Sequence, residues 1–264
     1  MVDIPALVAA NAHRWASMKL DPARVPAFAA TAKRLCDPAA KAKYQAVTNQ
    51  LVAKGYQAVP WWFIAIVSER EYGGPPHWDK QLGQGDNLHS VSQHDPAGRG
   101  PFLDHPGDDV NNNAWLRCAL DALIDCAPHA ALWHDWTSGG ATTIWEEYNG
   151  LGYAARGVPS AYVWSGTDQY TSGKYVADHV YRQSAVDVQE GCAPILKAMM
   201  QQDTSIVLAD VAGQIIVPPK PIVITPTLPT VPPGPTSGQL HPGGVQVVPP
   251  VGLVQELLDA FHRL

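Results

Sequence analysis

A single run of apolar residues constrains the fold of this chain more than any other feature. The run covers residues 59–67 and reads VPWWFIAIV, so no polar side chain interrupts it. Pro60 suits the first turn of a helix and the pair Gly73–Gly74 suits its end, which predicts a helix of about thirteen residues. A helix that is apolar on every side is buried at the centre of a domain. We therefore expect the rest of the chain to pack around this segment.

Glu71 lies in the last turn of this predicted helix, on the same face as Val67 and Ile64. Apolar surroundings and the negative end of the helix dipole both raise the pKa of a carboxyl group. A carboxyl group that stays protonated near neutral pH can donate a proton to a glycosidic oxygen. Glu71 is therefore the candidate catalytic acid, and a structural cap or a pairing with an arginine is the alternative.

Glu69 comes two residues before Glu71, which turns its side chain by about 200° around the same helix. The two carboxylates therefore cannot face one ligand. We predict that Glu69 belongs to a structural ion pair, with Arg99 or Arg117 as its partner.

The remaining periodicity predicts a mainly α fold with a small β-hairpin lobe. Apolar residues recur at helical spacing between residues 4 and 55, and again at 113–131, 142–150 and 186–200. Residues 75–109 are rich in Gly, Pro, Asp, His and Asn, which predicts loops and a small hairpin. Residues 206–217 are interpreted as a strand-like exit. We place the domain at residues 1–210, with N-terminal helices at 1–55 and the core at 56–200.

The last part of the chain does not have the composition of a packed core. Eleven of residues 218–251 are proline, so we interpret residues 211–251 as a proline-rich, extended linker. Residues 252–264 then form an amphipathic pattern, with Leu253, Leu257, Leu258 and Phe261 on one stripe. We predict a C-terminal helix that docks on the body, self-associates or holds a partner.

Charge and cysteine content narrow the classes of function. The net charge of -6 gives no indication of a nucleic-acid partner, although residues 1–55 carry eight Lys or Arg against three Asp or Glu. That basic start suits either a solvated helix face or an anionic polymer such as a cell wall. The four cysteines lack metal-ligand spacing and are read as reduced core residues. We find neither a signal peptide nor an apolar run of about 18 residues, so we expect cytoplasmic synthesis and no membrane span.

Five short segments follow one another along the chain: SERE (68–71), QGDN (84–87), PAGRGPF (96–102), EYNGLGY (147–153) and GKYVADHVY (173–181). Their sequences and their order resemble those of phage-borne and bacterial lysozyme-like proteins. The segments IVSEREYGG and EEYNGLGY also resemble the glutamate and AYNAG motifs of goose-type lysozymes and lytic transglycosylases. The resemblance extends from about Trp15 to Met200.

The resemblance implies a lysozyme-like α+β fold that acts on peptidoglycan. It implies cleavage of the β-1,4 bond between N-acetylmuramic acid and N-acetylglucosamine, with Glu71 in the position of the family's general acid. Tyr148 and Asn149 match the family's cleft-lining Tyr-Asn pair, and Gln84 is a further candidate for substrate binding. Tyr72 replaces the small residue that relatives carry after the catalytic glutamate, so we expect it to narrow the cleft or to mark a weakened enzyme.

The identity of a second carboxylate stays open at this level. An inverting hydrolase needs one about 6.5–9.5 Å from the acid, and a retaining hydrolase needs one closer. Asp86 is the first candidate and Asp79 the second, while QGDN also suits an ordinary turn. If neither reaches the acid, a lytic transglycosylase is the alternative, because there a group of the sugar itself attacks.

Aromatic residues near the expected cleft are candidates for sugar stacking, and core packing is the alternative for each. Trp78 and Tyr170 are the two that we assign to substrate binding. Histidines among acidic residues at 77–109 lack the H-E-x-x-H pattern, so no metal and no cofactor is predicted. A rival from another class is a non-catalytic wall-binding or virion component. Without a signal peptide, a phage-encoded lysin released to the wall or a particle-associated protein fits best.

Overall fold

The computed structural model describes residues 2–83, 85–93, 97–104, 106–109, 113–177 and 180–210. Within them the chain forms nine α-helices, one short 3-10 helix at Ala130–Leu132 and one two-stranded antiparallel sheet. The helices are α1 (Ile4–Ser17), α2 (Val25–Leu35), α3 (Pro38–Ala53), α4 (Trp61–Tyr72), α5 (Ala114–Ile124), α6 (Ser138–Tyr148), α7 (Gly152–Ala155), α8 (Ala161–Trp164) and α9 (Cys192–Gln202). The strands are β1 (Lys174–Ala177) and β2 (Val180–Arg182). The prediction of a mainly α fold with a small antiparallel sheet is confirmed.

The apolar run forms the predicted central helix. Pro60 is the N-cap of α4, and Gly73 ends the helix in the left-handed conformation at φ +85°. Every residue from Trp62 to Ser68 is buried. The helix packs against α3 and α9 and also touches α2. Burial of each large apolar side chain contributes about 1.5–3 kcal/mol to the free energy of unfolding. This helix, which is almost entirely buried, is therefore a main source of core stability.

Helix α1 packs closely along α6. A Cβ added at Gly139 would lie 2.5 Å from the Val8 carbonyl oxygen and 3.0 Å from the Ala12 Cβ. Only glycine permits that approach without moving α1. Further along the interface, the Asn11 amide donates to the Thr143 hydroxyl at 3.1 Å and to Glu146 at 3.3 Å.

The predicted position of the hairpin is wrong. The described residues between 75 and 109 form turns and a single isolated bridge between Lys80 and Asn87. The hairpin instead joins β1 and β2, where Lys174 pairs with Arg182 and Tyr175 with Tyr181. The aromatic and β-branched residues of β1 and β2 suit paired strands, whereas glycines and prolines at 75–109 favour turns.

Several predicted boundaries also differ from the observed ones. The helix predicted at 113–131 ends at Ile124, because Pro128 has no amide hydrogen to continue it, and Cys126 lies beyond its end. Helix α6 begins at Ser138 rather than near residue 142, because the Thr137 hydroxyl caps it. Helix α9 begins at Cys192 rather than at residue 186, and residues 186–191 have no regular secondary structure.

The last described residues pack on the helical domain but do not form the predicted strand. Residues 206–210, the described part of the predicted exit strand, are not extended in a sheet, but Ile206 and Leu208 are buried. The Asp210 carboxylate accepts hydrogen bonds from the backbone and hydroxyl of Ser138, at 3.1 and 2.5 Å. The predicted linker at 211–251 and C-terminal helix at 252–264 lie outside the described residues.

All four cysteines carry free thiols, and three of them are buried. No disulfide joins any two of them, as expected for reduced residues. Among the described helices, none has both the length and the apolar character needed to cross a bilayer.

Candidate functional site

The C-terminal end of α4 fixes the position of Glu71. The backbone amide of Gly74 donates to the Ser68 carbonyl at 3.0 Å, and that of Gly73 donates to the Glu69 carbonyl at 3.0 Å. The bond from Gly73 to Glu69, with Gly73 left-handed, forms an αL C-cap that stops the helix directly after Tyr72. Glu71 therefore stands in the last turn, and only 5% of its surface is exposed.

The carboxyl group of Glu71 accepts a hydrogen bond from Tyr162. The Tyr162 hydroxyl, on α8, lies 2.8 Å from Oε1 of Glu71. Burial raises the pKa of Glu71 to about 7, while the Tyr162 hydrogen bond and the charge of Arg70 act in the opposite direction. The raised pKa agrees with the expectation from the sequence. Near neutral pH a large fraction of this carboxyl group is protonated, so it can donate a proton.

The guanidinium of Arg70 is buried beside this pair but is bonded to other groups. It donates to the Glu190 carbonyl at 2.7 Å and to Oδ2 of Asp187 at 3.4 Å. Its carbon lies 4.5 Å from the centre of the Tyr162 ring. Arg70 therefore packs under Tyr162 and is paired with Asp187, so it does not neutralise Glu71 by a direct ion pair.

Asp187 is held by several bonds of its own. Lys174 donates to its Oδ1 at 3.0 Å, and the Ser165 hydroxyl donates to its carbonyl at 2.8 Å. Its backbone amide donates to the Tyr170 hydroxyl at 2.9 Å, and that hydroxyl donates to the Gly173 carbonyl at 3.2 Å. Tyr170, which the sequence suggests as a substrate-binding residue, is thus buried and supports Asp187 from inside the protein.

Tyr148 and Asn149 lie at the end of α6. The Tyr148 hydroxyl donates to the Leu82 carbonyl at 3.3 Å, and its ring is buried. Burial raises the pKa of Tyr148 well above its ordinary value, and the charge of Glu71 adds to that rise. Asn149 is half-buried, and its backbone amide closes the helix on the Trp145 carbonyl at 3.1 Å. The structure therefore brings Tyr148 into the surroundings of Glu71, with Asn149 next to it.

The loop that carries Asp86 packs on the end of α4. A Cβ added at Gly85 would lie 3.0 Å from the Glu71 carbonyl oxygen, and Gly85 has φ +67°. Only glycine suits both conditions, so this glycine lets the loop approach the helix. Asp86 follows directly and is half-buried. Asp79, the second candidate, lies before the isolated bridge of the same loop, and Gln84 lies outside the described residues.

Glu69 and Trp78 lie on the other side of α4. Glu69 forms a two-pronged ion pair with Arg34, at 2.6 and 2.8 Å. The predicted ion pair exists, but its predicted partners are wrong, because Arg99 binds Asp121 and Arg117 binds Asp108. Arg34 on α2 lies beside the end of α4, where its side chain also donates to the carbonyls of Gly73 and Pro75.

Trp78 and Tyr72 belong to an aromatic cluster on this second side. The Trp78 ring lies 4.9 Å from Trp115 and 5.4 Å from Tyr44. The Trp115 indole donates to the Tyr72 hydroxyl at 2.9 Å. The hydroxyl end of Tyr72 therefore lies against Trp115 of α5.

A second buried glutamate was not apparent from the sequence. Glu146 on α6 is 1% exposed, and it faces Asn11 of α1 rather than Glu71. Burial raises its pKa to about 7, while the Asn11 hydrogen bond and the charge of Arg14 oppose the rise. The sequence EEY contains two adjacent glutamates, and only the contact with α1 distinguishes the buried one.

Other groups of the site have no local sequence signal. Tyr162 and Asp187 lie 91 and 116 residues after Glu71, and only the folded chain joins them to it. No group of three or more His, Cys, Asp or Glu side chains in the described part of the chain could hold a metal ion. Comparison of the chain with protein-family models, with curated proteins and with solved structures found no match in any of the three.

Proposed function

We propose that this chain is a peptidoglycan hydrolase with a lysozyme-like domain, and that Glu71 is its general acid. In this proposal the bond cleaved is the β-1,4 bond between N-acetylmuramic acid and N-acetylglucosamine. The observation that carries the proposal is the Glu71 carboxyl group, buried at the end of a central apolar helix with a pKa of about 7. A general acid works best when its pKa lies near the working pH.

Tyr162 and Arg70 support this role by what they do to the carboxyl group. The Tyr162 hydroxyl fixes the orientation of Glu71 through Oε1, which leaves Oε2 to carry the proton. The pairing of Arg70 with Asp187 keeps the buried cation from forming an ion pair with the acid. In the proposed reaction Glu71 protonates the glycosidic oxygen as the bond to the sugar breaks.

Asp86 is the proposed second carboxylate. Its loop packs against the backbone of Glu71 through Gly85, which supports a place beside the same ligand. Asp86 would activate the attacking water in an inverting reaction or attack the sugar in a retaining one. Tyr148 and Asn149 are proposed to contact the sugar beside the acid.

The decisive experiment compares three proteins on purified peptidoglycan, with the soluble fragments identified by mass. The natural chain should release fragments that carry reducing ends. Glu71→Gln should reduce release by about 10²–10⁴-fold, the usual contribution of a general acid. Glu146→Gln is the matched control, because it removes an equally buried carboxyl group with a similar pKa at another place. It should release fragments at the rate of the natural chain.

The same experiment contains the outcomes that reject the proposal. Undiminished release by Glu71→Gln would remove Glu71 from the reaction. Fragments with 1,6-anhydro ends, released equally by a fourth protein that carries Asp86→Asn, would instead identify a lytic transglycosylase. Protein that sediments with the wall but releases nothing would be a non-catalytic wall-binding or virion component. A hydrolase of this kind reaches the wall after its synthesis, as a phage-encoded lysin or with a particle.

A further inference from the structure

An exposed arginine follows the segment that carries Tyr148 and Asn149. Arg156 comes directly after α7, and its side chain is exposed. Among the residues that the structure describes, no carboxylate forms an ion pair with it. Four other arginines, by contrast, each bind a carboxylate: Arg34, Arg70, Arg99 and Arg117. The charge of Arg156 is therefore available to a ligand.

Tyrosine side chains hold the Arg156 guanidinium in place. Its Nε donates to the Tyr175 hydroxyl at 2.9 Å, and that hydroxyl donates to the Gly152 carbonyl at 3.3 Å. The guanidinium carbon lies 4.6 Å from the centre of the Tyr181 ring and 5.5 Å from that of the Tyr175 ring. These two rings pack edge to face at 5.3 Å across the hairpin, and Tyr153 packs against both. Residues of α7, β1 and β2 therefore fix the cation before any ligand binds.

The contacts of Arg156 leave its two terminal nitrogens for a ligand. An arginine has five N–H donors, and only the one on Nε donates to a described residue. The terminal nitrogens lie in one plane and can donate two parallel hydrogen bonds to the two oxygens of a carboxylate. Because the side chain is already ordered, binding of such an anion costs less conformational entropy than at a mobile arginine. The geometry therefore suits a carboxylate.

The tyrosine cluster lies next to the residues that surround Glu71. Burial raises the pKa of Tyr153; the charge of Asp187 adds to this rise and the charge of Arg70 opposes it, so both charges are nearby. Asp187 is itself bound by two cations, so it does not compete for Arg156. The Arg156 guanidinium is thus an unpaired charge, among the described residues, on the hairpin side of the proposed catalytic site.

We infer that Arg156 binds a carboxylate of the stem peptide that is carried by a peptidoglycan sugar near the cleaved bond. The inference rests on the proposed function and adds a contact with the same polymer. Glu71, Tyr148 and Asn149 act on the glycan, whereas Arg156 acts on the peptide. Arg156 thus makes the protein bind strands that carry peptides in preference to bare glycan.

The test measures co-sedimentation with peptidoglycan sacculi, using proteins that all carry Glu71→Gln so that the wall is not digested. Adding Arg156→Gln should weaken binding about 5- to 30-fold, because hydrogen bonds from a charged donor are lost. Arg156→Lys should restore only part of the binding, because an ammonium does not reproduce the two parallel bonds. Arg182→Gln is the matched control, because it removes an exposed arginine of the same hairpin that makes none of these tyrosine contacts. It should bind like the parent protein, and a thermal melt of each variant shows that it is folded.

Glycan strands without peptides give the complementary arm. After an amidase has removed the stem peptides, Arg156→Gln and Arg182→Gln should bind equally, and they should also bind equally to sacculi whose carboxyl groups are amidated. Equal binding to untreated sacculi would overturn the inference, and so would a difference that persists on the bare strands. A difference that disappears when only phosphate polymers are stripped from the wall would also overturn it, because the ligand would then be a phosphate.

The results separate this inference from the proposed function. Binding that depends on Arg156, without fragment release by the natural chain, would contradict the proposed function alone. Fragment release that depends on Glu71, with equal binding by the two arginine variants, would contradict the role of Arg156 alone.

Discussion

The ionisation of Glu71 depends on its burial and on two neighbouring groups, which act in different directions. Burial favours the protonated form, whereas the Tyr162 hydroxyl and the charge of Arg70 favour the carboxylate. Asp187 controls the last of these, because it is the counter-ion of Arg70. Substitutions of Tyr162 and of Asp187 should therefore shift the pKa of Glu71, each in a direction that follows from these contacts.

Tyr162→Phe should raise the pKa of Glu71 above about 7, because it removes the hydroxyl that stabilises the carboxylate. The rate of peptidoglycan cleavage, plotted against pH, should fall where Glu71 loses its proton. This descending limb should then move to higher pH. The rate at its optimum should fall several-fold, because the carboxyl group is less well oriented. Tyr56→Phe, before the opposite end of α4, serves as the control and should leave the pH profile unchanged. A limb that moves to lower pH would contradict the assignment.

Asp187→Asn should lower the pKa of Glu71, because Arg70 then keeps its charge without a carboxylate partner. The descending limb of activity should move to lower pH, opposite to the effect of Tyr162→Phe. The free energy of unfolding should fall by about 3–5 kcal/mol, as for other buried ion pairs that lose one partner. Asp125→Asn, at an exposed position, is the control for both measurements. A loss of stability with no shift of the limb would leave Asp187 a purely structural role.

At the residue scale, the sequence predicts the groups whose environment is local. The burial of Glu71 follows from its register with Val67 and Ile64 on one helix. Its hydrogen-bond donor could not be predicted, since Tyr162 is 91 residues away. The predicted partner of Glu69 was wrong for the same reason. Which arginine pairs with Glu69 depends on how α2 packs beside α4.

At the level of elements, the contact between α1 and α6 encloses the second buried carboxyl group. Glu146 receives one hydrogen bond from Asn11, and its Oε1 has no hydrogen-bond partner among the residues that the structure describes. A buried carboxyl group with so little compensation is tolerated in its neutral form and opposes folding when it ionises. The docking of α1 should therefore depend on pH.

Glu146→Gln should make the free energy of unfolding less dependent on pH. Below pH 4.5 the carboxyl group is protonated in both states; between pH 4.5 and about 7 only the unfolded chain releases its proton, so stability falls as the pH rises. At pH 8 the variant should be more stable than the natural chain by about 3–4 kcal/mol, at roughly 1.4 kcal/mol per pKa unit. Denaturant titrations at pH 4 to 8 measure this difference, and Glu147→Gln should show a smaller one. A variant less stable at pH 8 would contradict the prediction.

The elements themselves differ in how well sequence predicts them. Helix α4 was predicted almost to the residue, because its apolar run and its Pro and Gly ends agree. The start of α6 was missed, because Gly139 and Gly140 weaken a helical pattern and only the approach of α1 explains Gly139. The two-stranded sheet was expected at 75–109, where the described residues form only an isolated bridge and also contact α4 and α5.

At the scale of the whole molecule, the last described residues, 205–210, pack into the core. Ile206 and Leu208 are 3% and 0% exposed, and the Ala209 amide donates to the Trp136 carbonyl at 3.2 Å. Asp210 caps the start of α6. These contacts join the end of α9 to the helix that carries Tyr148.

A chain that ends after residue 210 should unfold cooperatively, whereas a chain that ends after residue 204 should be less stable by about 3–6 kcal/mol. The estimate adds two buried apolar side chains at about 1.5–3 kcal/mol each. Thermal and urea denaturation of the two truncated chains, side by side, measure the difference. Equal stability would show that residues 205–210 contribute nothing to the core.

The four thiols give the folded protein chemical tolerance as well as packing. Burial raises the pKa of Cys36 to about 11 and that of Cys126 to about 12, and it raises those of Cys118 and Cys192 further. Oxidants and disulfide exchange act on the thiolate, which is scarce at neutral pH under these conditions. The fold neither needs a covalent cross-link to form nor offers one to break. We therefore expect the four thiols to react slowly with oxidants at neutral pH.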